Sequence, residues 1–94
     1  MAAFTDTFED ESASSEIFHP SDTISEIKVD GTFKGTIKLR SSRPDANVWS
    51  DIDVVTNQNT SIIHSAVIHT PDAALDYKFE AFGVIGTANV YFGP

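Results

Sequence analysis

Cysteine is absent from the 94 residues of this chain. Its absence excludes disulfide cross-links, zinc sites built from thiolates and cysteine nucleophiles together. Glycine-rich phosphate loops are also missing, and we expect no cofactor. The sequence has no apolar run of the roughly 18 residues that a membrane span needs, and its first residues show no basic region followed by an apolar run. We therefore expect neither a membrane span nor a secretion signal.

Positive charge is scarce. Six Lys and Arg residues stand against 14 Asp and Glu residues, which gives a net charge of −8. The imbalance is concentrated in residues 1–27, which hold seven acids and no Lys or Arg. Each contact to a phosphate backbone needs a cation that displaces counterions, so this charge balance argues against nucleic acid as a partner.

The length of the chain limits it to one hydrophobic core. Ninety-four residues are too few for two cores without disulfides or metal. The apolar content of 40% is typical of a globular protein. A domain of this size is only marginally stable alone, so we expect it to gain burial against a neighbour, as in a homo-oligomer.

Apolar side chains alternate with polar ones in three stretches, residues 27–39, 75–81 and 88–92. A period of two is typical of half-buried strands. Residues 48–55 and 61–69 are predicted as two further strands, the second covered on both faces. About six short strands predict an all-β protein, a small antiparallel β-sandwich or jelly-roll-like domain.

Turn-forming residues separate these predicted strands. Asp30 with Gly31 is typical of a tight hairpin turn or a bulge, because Gly31 can adopt positive φ. The Asn-rich residues 56–60 and the stretch from Gly83 to Gly86 are predicted as turns. Residues 41–47 contain a proline and are predicted as a loop.

Residues 1–22 are predicted as an acidic N-terminal arm, and residues 23–94 as the β-sandwich domain. Phe4 with Phe8 and Ile17 with Phe18 give the arm two hydrophobic anchor points, whereas residues 9–15 are too polar to be expected to pack. One interpretation is a terminus that packs on its own domain or stays disordered. The other is an arm that lies on a neighbouring subunit or on a host surface.

Four cations share one strand parity, namely Lys28, Lys34, Lys38 and Arg40. They predict a basic stripe on the outer face of the first strands. One interpretation is a solvated face whose lysines discourage edge pairing. The other is that the acidic arm of one subunit runs over the stripe of another, with an attraction that salt screens.

Residues suited to catalysis or metal binding occur without a convincing arrangement. His64 and His69 are five residues apart, so in one uninterrupted strand they face opposite sides. Asp51 and Asp53 are predicted on one face of a strand. Two carboxylates alone supply too few ligands to indicate a calcium site, because calcium takes about six to eight oxygen ligands. No polar constellation suggests a nucleophile or an acid–base pair. We expect no enzyme activity and no metal.

Three aromatic residues allow a sugar-binding alternative. Trp49, Tyr77 and Tyr91 would form a stacking platform if all three faced outward. Core packing is the commoner position for a tryptophan in so small a domain, so Trp49 is predicted in the core. Tyr91 lies on the polar parity of its strand and is predicted to face outward, available for contact.

Four short motifs carry a family resemblance. They are Gly-Thr-Ile-Lys-Leu-Arg-Ser at 35–41, Trp-Ser-Asp-Ile-Asp-Val at 49–54, Tyr-Lys-Phe-Glu-Ala at 77–81 and Gly-Thr-Ala-Asn-Val-Tyr at 86–91. In this order the chain resembles the small β-sandwich structural modules of tailed bacteriophages, which occur in head decoration (cement), head-fibre and tail-associated proteins. The loop before Trp49 lacks the glycines usual in such modules, and the acidic arm lies outside the match.

The resemblance implies a virion structural protein without catalysis, often trimeric, made in the host cytoplasm and carried on the surface of the phage head. Its expected partner is the major capsid protein or another virion protein. The residues predicted to bind partners are Phe4, Phe8, Ile17 and Phe18 as anchors, Lys34, Lys38 and Arg40 as a charged face, and Tyr91. The alternative is a head-fibre or tail module that binds a host-surface glycan or another virion protein.

Overall fold

A computed structural model describes residues 3–19, 24–69 and 74–93. These residues form strands and no helix, which confirms the all-β prediction. The strands are β1 (Phe4–Glu9), β2 (Ala13–Ser14), β3 (Ile24–Ser42), β4 (Ser50–His69) and β5 (Asp76–Gly93). Their order in one antiparallel sheet is β1-β5-β3-β4, and β2 pairs with β5 beyond the end of β1.

Three of the strands are far longer than predicted. β3, β4 and β5 contain 19, 20 and 18 residues. The prediction of turns at residues 56–60 and 83–86 is wrong, because these residues lie inside β4 and β5. Gly31 does adopt positive φ, at 122°, but within the continuous strand β3 and not in a hairpin.

The long strands bend along a single line across the sheet, which we call the corner. The pairing of β3 with β4 shifts between Phe33 and Lys34, where Asn59 is an extra residue with φ of 65°. The pairing of β3 with β5 shifts beside it, between Lys34 and Thr36. Extra residues in one strand bend it and increase its twist, so these two neighbouring irregularities fold the whole sheet.

Gly86 shows why glycine is needed at the corner. Its φ is 98°, a region that side chains rarely adopt. A Cβ atom at this position would lie 2.5 Å from the backbone oxygen of Thr32 on the neighbouring strand. Only a residue without a side chain lets β3 and β5 approach this closely.

Folding at the corner turns one sheet into two layers. The first layer contains residues 24–33, 60–69 and 87–93 with β1, and the second contains residues 36–42, 50–56 and 76–82 with β2. The inner faces of the two layers meet, as shown by the rings of Tyr77 and Phe92, which lie on different layers with centroids 5.9 Å apart. The molecule is accordingly thin, with extents of 35 × 26 × 18 Å.

The core lies between the layers and is built by alternation. All five apolar residues predicted on one parity of β3 are buried, which are Ile27, Val29, Phe33, Ile37 and Leu39. β5 supplies the opposing side chains, which are Tyr77, Phe79, Ala81, Val84, Ala88, Val90 and Phe92. Each large side chain removed from water stabilises the fold by roughly 1.5–3 kcal/mol, so this interior is the main source of stability.

Candidate interaction surfaces

The predicted N-terminal anchors lie mainly on their own domain. Phe8 is 2% exposed and Phe18 is 7% exposed, and both belong to the core. The rings of Phe4 and Phe18 stack with centroids 4.4 Å apart. Ile17 is different, since 53% of it is exposed. In this conformation Ile17 is the one anchor residue that offers its side chain to a partner.

The residues between the anchors hydrogen-bond to β5, although residues 9–12 and 14 stay exposed. The backbone amide of Gly86 donates to Asp10 Oδ1 at 2.7 Å, and that of Gly83 donates to Ser12 Oγ at 2.7 Å. The amide of Phe79 donates to Ser15 Oγ at 2.9 Å. Short polar side chains thus accept hydrogen bonds from β5 amides that β1 and β2 leave open. The predicted arm is therefore attached to the sheet along residues 4–18, and its residues 1, 2 and 20–22 lie outside the described residues.

Two cations of the predicted basic stripe are paired within the chain. Lys38 Nζ lies 3.1 Å from Asp51 Oδ2, and Arg40 Nε lies 3.1 Å from Asp51 Oδ1. Arg40 also contacts Glu80 at 3.2 Å and donates to the backbone oxygen of Trp49. Much of the positive charge on this outer face is thus compensated locally.

The remaining two cations of the stripe differ from each other. Lys28 lies 3.5 Å from a carboxylate oxygen of Glu26 and 5.2 Å from the ring centroid of Tyr91. Lys34 is exposed, and within the described part of the chain it makes no ion pair. Lys34 is therefore the predicted contact whose charge stays available to an acidic partner.

The aromatic residues do not form one platform. The prediction that Trp49 lies in the core is wrong, because it is half-buried at the edge of the second layer with Lys78 Nζ 4.3 Å from its ring centroid. Tyr77 is buried in the core. Tyr91 is half-buried on the outer face of the first layer, beside Lys28. Sugar stacking across all three rings is therefore geometrically impossible in this fold.

The acidic pair of β4 is split by a bulge. The pairing of β3 with β4 shifts between Leu39 and Arg40, so Asp53 is opposite Leu39 whereas Asp51 is opposite Arg40. Asp51 faces outward and Asp53 faces inward, which corrects the prediction that they share a face. Asp53 Oδ2 lies 2.9 Å from His64 Nε2. Among the described residues no three His, Asp or Glu side chains cluster as metal ligands would.

The described surface offers shallow depressions. One, on the outer face of the first layer, is bordered by Thr5, Lys28, Asp30 and Tyr91 and is open to solvent. Its polar groups already contact one another, since Asn89 donates to Asp30 at 3.1 Å. Such a surface suits contact with another surface better than enclosure of a small molecule.

Sequence reasoning missed the apolar outer face of β4. Ile52, Val54, Ile63 and Val67 are all exposed there, on both sides of the corner. The signal was present in the sequence, because β4 contains no Lys, Arg or Pro and no acid after Asp53. A strand with so little charge on its exposed face is a candidate for protein contact.

Comparison with family models, with curated proteins and with solved structures found no match for this chain. No helix long and apolar enough to cross a membrane occurs among the described residues. Hypotheses about function therefore depend on the geometry above and on the resemblance of the sequence motifs.

Proposed function

We propose that this chain is a non-enzymatic structural protein of a tailed-phage particle, a decoration (cement) protein that binds the outside of the head. The observation that supports this most is the number of large apolar side chains on the outer faces of a thin two-layer sheet. Monomeric proteins rarely expose such side chains in groups unless a partner covers them. The partner we propose is the major capsid protein.

The polar side chains support docking over chemistry. Asp51 and Glu80 both contact Arg40, which also donates to the backbone oxygen of Trp49, so these charges hold the second layer together. Asp53 and His64 contact each other between the layers. Groups engaged in this way stabilise the fold and give a flat outer face a fixed shape.

The proposed mechanism is mass action. A protein that binds the assembled shell across subunit junctions, and binds separated subunits weakly, stabilises the shell by the free energy of binding. Ile17 and Lys34 are the contact residues that this fold leaves most available. Lys38, Arg40 and Tyr91 would add a partly compensated charged and aromatic border.

The resemblance also favours a trimer on the shell. Glu9, Glu11 and Glu16 are exposed on the N-terminal segment, so an acidic face remains available to the Lys34 of a neighbouring subunit. This contact would weaken as salt rises, because exposed charges are screened beyond about 10 Å at 0.1 M salt. Light scattering of the wild-type protein and of Lys34→Glu at two salt concentrations tests it.

Co-sedimentation tests the main proposal. The purified protein is mixed with shells assembled from the capsid protein of the same virus, and separately with unassembled capsid protein. We expect it to pellet with shells and to raise their melting temperature. Ile17→Ser should weaken binding, whereas Ile24→Ser, an equally exposed isoleucine outside the predicted contacts, should not. Binding to neither form of the capsid protein would refute the proposal.

A further inference from the structure

The outer edge of β4 is an unprotected strand edge. β4 is the last strand of the sheet order, and among the described residues no strand pairs with its outer side. Edge strands are normally protected from pairing by Lys, Pro, bulges, inward charges or short length, and the bulges of β4, at Ile52 and Asn59, lie before residues 61–69. β4 is 20 residues long and has neither Lys nor Pro, and from residue 54 to its end it has no Asp or Glu either.

The opposite edge of the sheet is protected in the usual ways. It is formed by β1 and β2, which contain only six and two residues. β1 also carries two acids, Asp6 and Glu9, both exposed. The absence of comparable protection on β4 is therefore specific to that edge.

The second half of β4 is apolar on both faces. On the outer face Ile63 is 88% exposed and Val67 is 56% exposed. On the inner face Ile62, Ala66 and Ile68 pack against the core but stay half-buried, because the sheet ends at β4. One more strand beside residues 61–69 would cover side chains on both faces.

We propose that residues 61–69 of β4 pair antiparallel with the same residues of a second copy, about a two-fold axis at Ser65. A two-fold axis perpendicular to the sheet leaves the outer faces of both copies on the same side. Each outward-facing residue is therefore opposite an outward-facing residue of the other copy, and each inward-facing residue is opposite an inward-facing one. With Ser65 on the axis, Ile63 is opposite Val67 and Ile62 is opposite Ile68 of the other copy. The apolar side chains are thereby matched on both faces.

Neighbouring registers match poorly. An axis at His64 places Ile63 opposite Ser65, and an axis at Ala66 places Ile63 opposite His69. Each loses the contact of Ile63 with Val67, the two most exposed apolar side chains of this segment. The sequence is therefore self-complementary in one register, which is why the second copy is the occupant that fits.

Electrostatics give this contact a recognisable salt dependence. Each copy carries a net charge of −8, whereas residues 61–69 contain no Asp, Glu, Lys or Arg. Two copies repel each other at long range, and salt screens that repulsion. Dimerisation through β4 should strengthen as salt rises, the opposite of the contact between the acidic segment and Lys34.

Analytical ultracentrifugation of the full chain tests the dimer. We expect a concentration-dependent species of twice the 10.2 kDa monomer mass, more populated at 0.5 M than at 0.05 M NaCl. Ile63→Lys should raise the dissociation constant at least tenfold, because a lysine on an edge opposes pairing. Ile85→Lys changes an exposed isoleucine of an interior strand and should leave the dissociation constant unchanged. Circular dichroism checks that both variants fold.

A cysteine cross-link tests the register. The chain has no cysteine of its own among the described residues or elsewhere in the sequence. Ser65→Cys would place two thiols on the axis, with Cα atoms roughly 4.5–5.5 Å apart, within disulfide range. Ser61→Cys would place them roughly 27 Å apart. Mild oxidation should cross-link the first variant and not the second.

Two results would overturn the proposal. They are a monomer at every concentration and salt, and equal cross-linking of the two serine variants. If the wild type is monomeric and Ile63→Lys loses shell binding, the edge belongs to the capsid protein and not to a second copy. The self-pairing does not depend on the phage proposal, because it is measured on the purified chain alone.

Discussion

Asp53 and His64 touch across the interior side of the sandwich although both belong to the same strand. Their side-chain atoms are 2.9 Å apart and their positions differ by eleven residues. Eleven residues of straight strand span roughly 35 Å, so β4 must turn back between them. The contact is therefore direct evidence that β4 bends at the corner. It also joins the first layer to the second at the β4 side of the sandwich.

A double-mutant cycle measures this contact. We expect Asp53→Ala and His64→Ala to destabilise the protein less together than the sum of the single effects. The coupling free energy should be about 0.5–1 kcal/mol, because both side chains are partly exposed and solvent weakens their attraction. Urea unfolding of the wild type, the two single variants and the double variant gives this value. Strictly additive effects would contradict the contact.

Alanine substitutions at two corner glycines should differ in cost. Gly86→Ala combines positive φ with a clash against the Thr32 oxygen, and we expect a loss of about 2–3 kcal/mol in the free energy of unfolding. Gly83→Ala has positive φ but open space around the new Cβ, and should cost about 1 kcal/mol. Chemical denaturation compares them. Equal costs would mean that β3 and β5 do not approach closely at Gly86.

Alanine substitutions at two neighbouring residues of the N-terminal segment should also differ in their effect on stability. Phe18→Ala removes a buried ring from the aromatic cluster, and we expect a loss of about 3–5 kcal/mol in the free energy of unfolding. Ile17→Ala changes an exposed side chain and should change stability by less than about 0.5 kcal/mol. Thermal unfolding monitored by circular dichroism separates the two. Small changes in stability for both variants would mean that the N-terminal segment does not pack on the sandwich.

Two cations on the outer face of β3 should differ in how much they contribute to stability. Arg40 contacts Asp51, Glu80 and the backbone oxygen of Trp49, so Arg40→Ala should cost about 1–2 kcal/mol of stability. Lys34→Ala should cost less than about 0.5 kcal/mol. Urea midpoints give both values, and a larger effect for Lys34→Ala would reverse our assignment of structural and free charges.

The buried face of β3 could be predicted from sequence, and the continuity of β3 was also present in the pattern. Ile27, Val29, Phe33, Ile37 and Leu39 keep the same parity on both sides of Gly31 and are all buried. A hairpin at Gly31 would have divided these residues between two paired strands. The unbroken parity therefore indicated one long strand with a local irregularity.

The corner could not be predicted, because turns and bulges need the same residues. Asn59 and Gly83 both adopt positive φ, as a hairpin turn would also require. What makes them bulges is pairing with β3, which is more than 20 positions away in sequence. Local sequence carries no record of such a distant pairing.

The positions of two side chains, Asp51 and Trp49, were predicted wrongly for different reasons. The bulge at Ile52 reverses the face of Asp51 relative to Asp53, and alternation alone assigns them to one face. Trp49 was predicted in the core from its size, whereas Lys78 covers its ring outside the core. Long cationic side chains can cover an aromatic ring as apolar residues do.

The continuity of β4 through the corner is tested most directly by cross-strand nuclear Overhauser effects in solution. We predict contacts between Thr32 and Ser61 in the first layer and between Thr36 and Thr56 in the second, since these pairs are opposite each other on β3 and β4. A hairpin at residues 56–60 would instead bring Val55 opposite Ser61. Observing that contact, without the two predicted ones, would contradict the fold on which every surface described above depends.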